Sequence, residues 1–147
     1  MTFFNIIAIC FFTSLWAGPI PSRSILHYDP ETVELSGKIE QQAFPGSPNY
    51  ESIPEGDQVE KGWYLRLDRP IDVVETKNDA PSPSSETERN VKIMHLAWGE
   101  NPGLRSKIKD VTKSKCEVHL KGHLFHRWSG HHHSRVLMWV DTLEIKK

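Results

Sequence analysis

The sequence predicts a mainly β fold, a five-stranded OB-like barrel with one short helix between strands three and four. Three observations lead there. Apolar and polar residues alternate with a period of two over several short runs, the mark of half-buried strands. One stretch, Leu104 to Val111, breaks that alternation with helical spacing. The order is three strands, the helix, then two long strands joined as a hairpin, which is the element order of an OB-fold. A β-sandwich normally needs about seven strands.

The first strand begins near Val33, where Leu35, Gly37 and Ile39 alternate with Glu34, Ser36, Lys38 and Glu40. Phe44 to Gly56 follows as a long loop dense in turn formers. The second strand is Trp63–Asp68, with Trp63, Leu65 and Leu67 on one face; Pro70 ends it or makes it an edge, and Ile71 to Val74 is a candidate extension. The third is Val91–Trp98, broken by Asn101-Pro102-Gly103. The helix places Leu104, Ile108 and Val111 on one side. The fourth strand is Cys116–Phe125 and the fifth Arg135–Leu143.

The remaining segments set the boundaries. Ile6 to Trp16 is nearly all apolar and is followed by Ala17, Gly18 and Pro19. That resembles a secretory signal peptide cleaved after Ala17, and it is shorter than the roughly 20 residues a membrane span needs. The expected organisation is a signal peptide over 1–17, a flexible leader over 18–32 and a single domain over 33–147. A disordered loop is expected over 78–90, where Ala-Pro-Ser-Pro-Ser-Ser-Glu carries no apolar pattern. The expected location is secreted or periplasmic, with no transmembrane segment left after cleavage. About 130 residues suit one domain able to bury its own core. With Cys10 removed, Cys116 has no internal disulfide partner, leaving a buried apolar residue, an intermolecular partner or a metal ligand as its readings.

Charge is uneven. Residues 18–102 carry 8 basic and 15 acidic side chains, and residues 103–147 carry 10 basic and 4 acidic. The chain as a whole, at net −1, is no strong polyanion binder, whereas its C-terminal part alone suits an anion. Nucleic acid is disfavoured as a partner. Trp63, Tyr64, Trp98 and Trp128 offer stacking surfaces, but Trp63 alternates with core leucines and the first loop is acidic.

Three segments carry a family resemblance. Phe44-Pro-Gly-Ser-Pro-Asn-Tyr-Glu-Ser-Ile53, Tyr64-Leu-Arg-Leu-Asp-Arg-Pro-Ile71 and Gly122-His-Leu-Phe-His-Arg-Trp-Ser-Gly-His-His-His-Ser134 together resemble the bacterial domain of unknown function family 4431, over roughly Leu35 to Leu143. The resemblance implies a small extracytoplasmic domain and supplies no reaction. Members tend to carry a Cys just after the Pro-Ile pair, where this chain has Asp72, so a disulfide suggested by the family lacks its partner here.

Six of the eight histidines lie between His119 and His133, on and around the final hairpin. On a strand, Val118, Leu120 and Leu124 face the core while Glu117, His119, Lys121, His123 and Phe125 face out. His119 and His123 are then ~13 Å apart, too far for one ion, and read as solvent-facing strand residues. The turn differs. His131 and His133 lie two apart and His126 stands on the other arm, so a three-nitrogen site with water as fourth ligand is geometrically open to zinc or a similar divalent metal. Against it, no carboxylate between His119 and Arg135 orients the imidazoles, and such partners are usual. The other reading is a polar turn with a structural histidine. Ser129 and Ser134 neighbour histidines without a nucleophile-elbow pattern, and no catalytic residue is assigned.

The favoured functional class is therefore a non-enzymatic binding or interaction module. Its expected ligand-binding residues are His126, Trp128, His131, His132 and His133, and its expected partner is an extracytoplasmic protein or a small ligand. The alternative is a zinc-type metal-binding protein or metal-dependent enzyme built on His126, His131 and His133. In an OB-fold the loops after strands one and four crowd one pole. The acidic Tyr50–Glu60 segment is expected to meet the His131–His133 turn there and to lend it carboxylates.

Overall fold

In a computed structural model, which describes residues 23–75 and 86–146, six strands and one α-helix follow one another. They are β1 (Ser24–His27), β2 (Thr32–Pro45), β3 (Val59–Val74), β4 (Glu88–Ala97), α1 (Pro102–Ser114), β5 (Glu117–His126) and β6 (Val136–Ile145). The architecture is mainly β, one mixed sheet in the order β1-β3-β2-β5-β6-β4, with an additional pairing between β3 and β4. β1 runs parallel to β3 and β4 parallel to β6, and the other pairs are antiparallel.

Two expectations need correcting. Six strands are described rather than five, and the extra one, β1, lies inside the segment read as a flexible leader. Ser24–His27 pairs with Ile71–Val74, and Tyr28 just beyond it is buried. Four residues are too few to show a period, so only the pairing reveals the strand. At the other side, β4 begins at Glu88, three residues earlier than the reading of Val91, so residues 88–90 of the expected 78–90 loop are strand. The proposed signal peptide and residues 76–85 lie outside the described residues. No described helix is long and apolar enough to cross a membrane.

The strands form where alternation predicts, and pairing extends them. In β2, Val33, Leu35, Gly37 and Ile39 are buried between exposed Glu34 and Lys38. The strand then continues to Pro45 because Gln41 to Phe44 pair with β3. β3 runs through Pro70, and its ladder with β4 loses register between Arg66 and Ile71, around the residue that has no N–H to donate. Helix α1 is capped at Asn101, whose side chain accepts from the Leu104 N–H at 3.0 Å, with Pro102 in the first turn. Its Leu104, Ile108 and Val111 are buried, and Lys115 ends it in the left-handed region. Cys116 is free and half-buried.

The core joins these faces. Leu65, Met94, Ile108, Leu120, Leu124 and Met138 are fully buried in one cluster. β5 turns Val118, Leu120, Gly122 and Leu124 inward, as its pattern predicts. Two glycines set how closely strands approach. A Cβ at Gly122 would lie 1.9 Å from the Trp139 carbonyl oxygen, next to the register shift between β5 and β6. One at Gly37 would lie 2.0 Å from that of Arg66.

Either glycine therefore resists any side chain. Gly122→Ala and Gly37→Ala are each expected to destabilise by at least about 1–3 kcal/mol in denaturant unfolding, because backbone must move. Gly103→Ala, on the exposed first turn of α1 where a Cβ meets only Asn101 Oδ1 at 3.5 Å, is the control and is expected to be neutral or stabilising.

Candidate functional site

The site is built by two loops. The β5–β6 loop is closed by Arg127 N–H donating to the Arg135 carbonyl at 3.0 Å and His132 N–H to that of Ser129 at 3.1 Å. Facing it, the β2–β3 loop is organised by one side chain. The Asp57 carboxylate accepts backbone N–H groups from Asn49, Glu51 and Ser52, each at 2.8 Å. Those bonds, Ser52 foremost, hold its carboxyl below the usual range. Their sequence spacing of five to eight residues makes this a local knot, which presents Tyr50 and leads directly into Glu60 on β3.

Glu60 then ties the two loops together. His131 Nδ1 lies 2.8 Å from its Oε1 and His133 Nε2 lies 3.4 Å from its Oε2. Tyr50 reaches His131 from the other side, its hydroxyl 3.3 Å from Nε2. One neutral tautomer satisfies both contacts, with His131 donating from Nδ1 to Glu60 and accepting from Tyr50 at Nε2. Burial pushes the Glu60 carboxyl up, but the hydrogen bonds from His131 and His133 outweigh it and hold it low. The expected meeting of the acidic first loop with the histidine turn is thus present.

Beneath the clasp lies a ring-lined layer. His133 stacks flat on Phe44 at 4.2 Å, Phe44 packs on Tyr64 at 5.4 Å, and Tyr64 stacks on His95 at 4.8 Å. His132 meets His95 edge-on at 6.3 Å and Trp128 at 4.8 Å, while Trp128 also leans on Phe125. The Trp128 N–H donates to His132 Nδ1 at 3.3 Å. An open cavity of about 690 Å³ is lined by Phe44, Arg127, Trp128, Ser129, His132 and His133. Trp128 is 69% exposed at its rim, large for an aromatic side chain. Two buried polar atoms in the underlying layer, Tyr64 Oη and His95 Nδ1, have no hydrogen-bond partner among the described residues. Burial, with Glu60 adding to it, pushes the Tyr64 hydroxyl up. Burial first, then His132 and His133, pushes His95 down to about 4, and burial also lowers His132.

The structure separates the three histidines proposed as one metal centre. His131 and His133 share Glu60, whereas His126 turns to the start of β4, its Nε2 3.3 Å from Glu88 Oε1. Among the described residues, the group of metal-competent side chains that converges is Glu86, Glu88 and His126, with ligand atoms within 4.8 Å of one another. The physical reason is that His126 is still a ladder residue, opposite Val136, while the other two sit past the end of the ladder. His119 and His123 lie on the outer face as read, His119 beside Ser36 and Glu34, His123 beside Asp29 and Asp141. Trp128 and His132 join in the cavity wall. The sequence reading missed His95, Phe44 and the stacked face of Tyr64. His95 alternates with buried Met94 and Leu96, an arrangement that carries no sign of its partner across the ladder, Tyr64.

The chain matches no family model, and neither the curated proteins nor the solved structures supply a match to it.

Two histidines, His95 and His132, carry a pH dependence. A histidine whose folded value lies below its ordinary 6.5 binds fewer protons folded than unfolded. The stability is full above that value and falls as pH drops toward 4. Asp57 and Glu60, held low, add their own loss only below their ordinary 3.8 and 4.5. His95→Phe keeps a ring on Tyr64 and is expected to flatten the stability curve above pH 4.5. An unchanged slope there in urea unfolding at several pH values would place the loss elsewhere.

Proposed function

We propose that this protein is an exported bacterial binding module, without catalytic residues, that takes a small anionic ring-bearing ligand in the cavity under the β5–β6 loop. One observation carries the reading, the exposed face of Trp128 set beside Arg127, His132 and His133 at the rim of an open cavity. An aromatic face suits a sugar or aryl ring, and the arginine suits its carboxylate or phosphate. The excess of basic residues in the C-terminal part favours the same charge. Export rests on the apolar Ile6–Trp16 run with Ala17 and Gly18, and membership of family 4431 rests on the three segments that resemble it.

The scaffold in this proposal is an OB-like barrel. The pairings β2–β5, β5–β6, β6–β4, β4–β3 and β3–β2 form a circuit, with β4 and β6 parallel and α1 between β4 and β5. That is the order in which an OB-fold closes, and β1 is then an addition on β3. The contact between Glu60 and the histidine turn corresponds to the pole where such barrels bind.

Galacturonate, phenyl phosphate and glucose serve as probes, read by Trp128 fluorescence and by His132 ring resonances. The two anions are expected to perturb both signals and glucose neither. Trp128→Ala and Arg127→Ala are each expected to weaken binding about tenfold or more. Anions that perturb Trp128→Ala as they do the parent, or none that perturb Trp128 at all, would end this reading.

A further inference from the structure

We infer that Glu86, Glu88 and His126 form a binding site for a borderline divalent metal ion of the zinc type, separate from the histidine turn. The three side chains come from two distant stretches of the chain. Glu88 opens β4 with Glu86 two residues before it, and His126 closes β5. Their ligand atoms nevertheless lie within 4.8 Å of one another. His126 Nε2 and Glu88 Oε1 are 3.3 Å apart. Two ligands bound at about 2.1 Å to one ion, at tetrahedral to octahedral angles, stand about 3.0–3.4 Å apart.

The hydrogen bonding of His126 points the same way. Its Nδ1 lies 3.2 Å from the Arg127 carbonyl oxygen, which accepts the one N–H of a neutral imidazole. Nε2 then faces a carboxylate oxygen at 3.3 Å, a separation that either a proton or a metal ion bridges. A backbone carbonyl on the far nitrogen is also the usual way a metal-bound imidazole is oriented. The His126 side chain is nine-tenths buried, at 9% exposure, and that of Glu88 is 11% exposed, so the pair is shielded from water that would otherwise separate it.

The surroundings hold the donors in place. Arg135 Nη1 lies 3.5 Å from Glu88 Oε2, which leaves Oε1 turned to His126. The buried Tyr28 donates its hydroxyl to the Glu86 carbonyl at 3.0 Å and sets its ring edge-on to His126 at 6.2 Å. Glu88 also lines an open cavity of about 530 Å³ with Arg89, Arg127, His133 and Arg135. One imidazole with two carboxylates suits zinc or manganese better than a thiolate-seeking ion.

Zinc chloride titrated into the full chain, by calorimetry and by competition with a chelating dye, tests the site. One equivalent is expected to bind and to raise the melting temperature. Glu86 is exposed, so Glu86→Gln should fold normally, weaken zinc at least about tenfold and reduce the melting shift. His126→Gln should remove the binding, with its fold checked by its unliganded melting curve. The double variant His131→Ala, His133→Ala should bind as the parent does. Zinc binding that survives Glu86→Gln undiminished, or that disappears with His131 and His133, overturns the assignment. So does the absence of binding of zinc and of manganese at micromolar concentration, which would leave His126 and Glu88 as a hydrogen-bonded pair.

Discussion

A strand has two hydrogen-bonding edges, and β3 uses them to hold three partners. At Tyr64–Arg66 it holds β2 and β4 at once, and at Ile71 and Val73 it holds β1 and β4. The change from β2 to β1 falls between Leu67 and Ile71, around Pro70, where the chain has no N–H to offer a ladder. Because β4 also pairs with β6, this one strand joins the N-terminal strands to the final hairpin. Both close strand approaches, at Gly37 and Gly122, belong to the same sheet and need residues with no side chain.

The functional surface follows from that arrangement. β3 starts at Val59, immediately after the loop that Asp57 knots together, and Glu60 is its second residue. The β5–β6 loop ends where β6 begins to pair with β4. Sheet order thus brings a carboxylate against two histidines that are 71 and 73 residues away. The same order lays Tyr64 of β3 against His95 of β4 as ladder partners and provides the floor on which the histidine turn rests. Two carboxylates share the histidines of this region, Glu60 taking two and Glu88 one, and so divide it into an aromatic cavity and a separate cluster of oxygen and nitrogen donors.

Much of this was legible from residue types alone. The period of two along β2 and β5 identified both strands and their buried faces, and the Asn101-Pro102-Gly103 stop with Leu104, Ile108 and Val111 identified the helix. His119 and His123 were placed on the outer face by the same alternation. Strand ends were less legible, because Gln41–Phe44 and Glu88–Asn90 are strand through their partners and not through any pattern of their own. β1 was invisible for the same reason.

The sequence by itself determined which residues face inward, that a short helix packs Leu104, Ile108 and Val111 inward, and that reactive side chains concentrate on the last hairpin. Those are local properties, set by periodicity, capping and turn chemistry within a few residues. Only the tertiary structure decided how the histidines are shared out, sending His131 and His133 to Glu60 and His126 to Glu88. That choice depends on which strands become neighbours. A carboxylate 38 or 71 residues distant leaves no local trace of the imidazole it will meet.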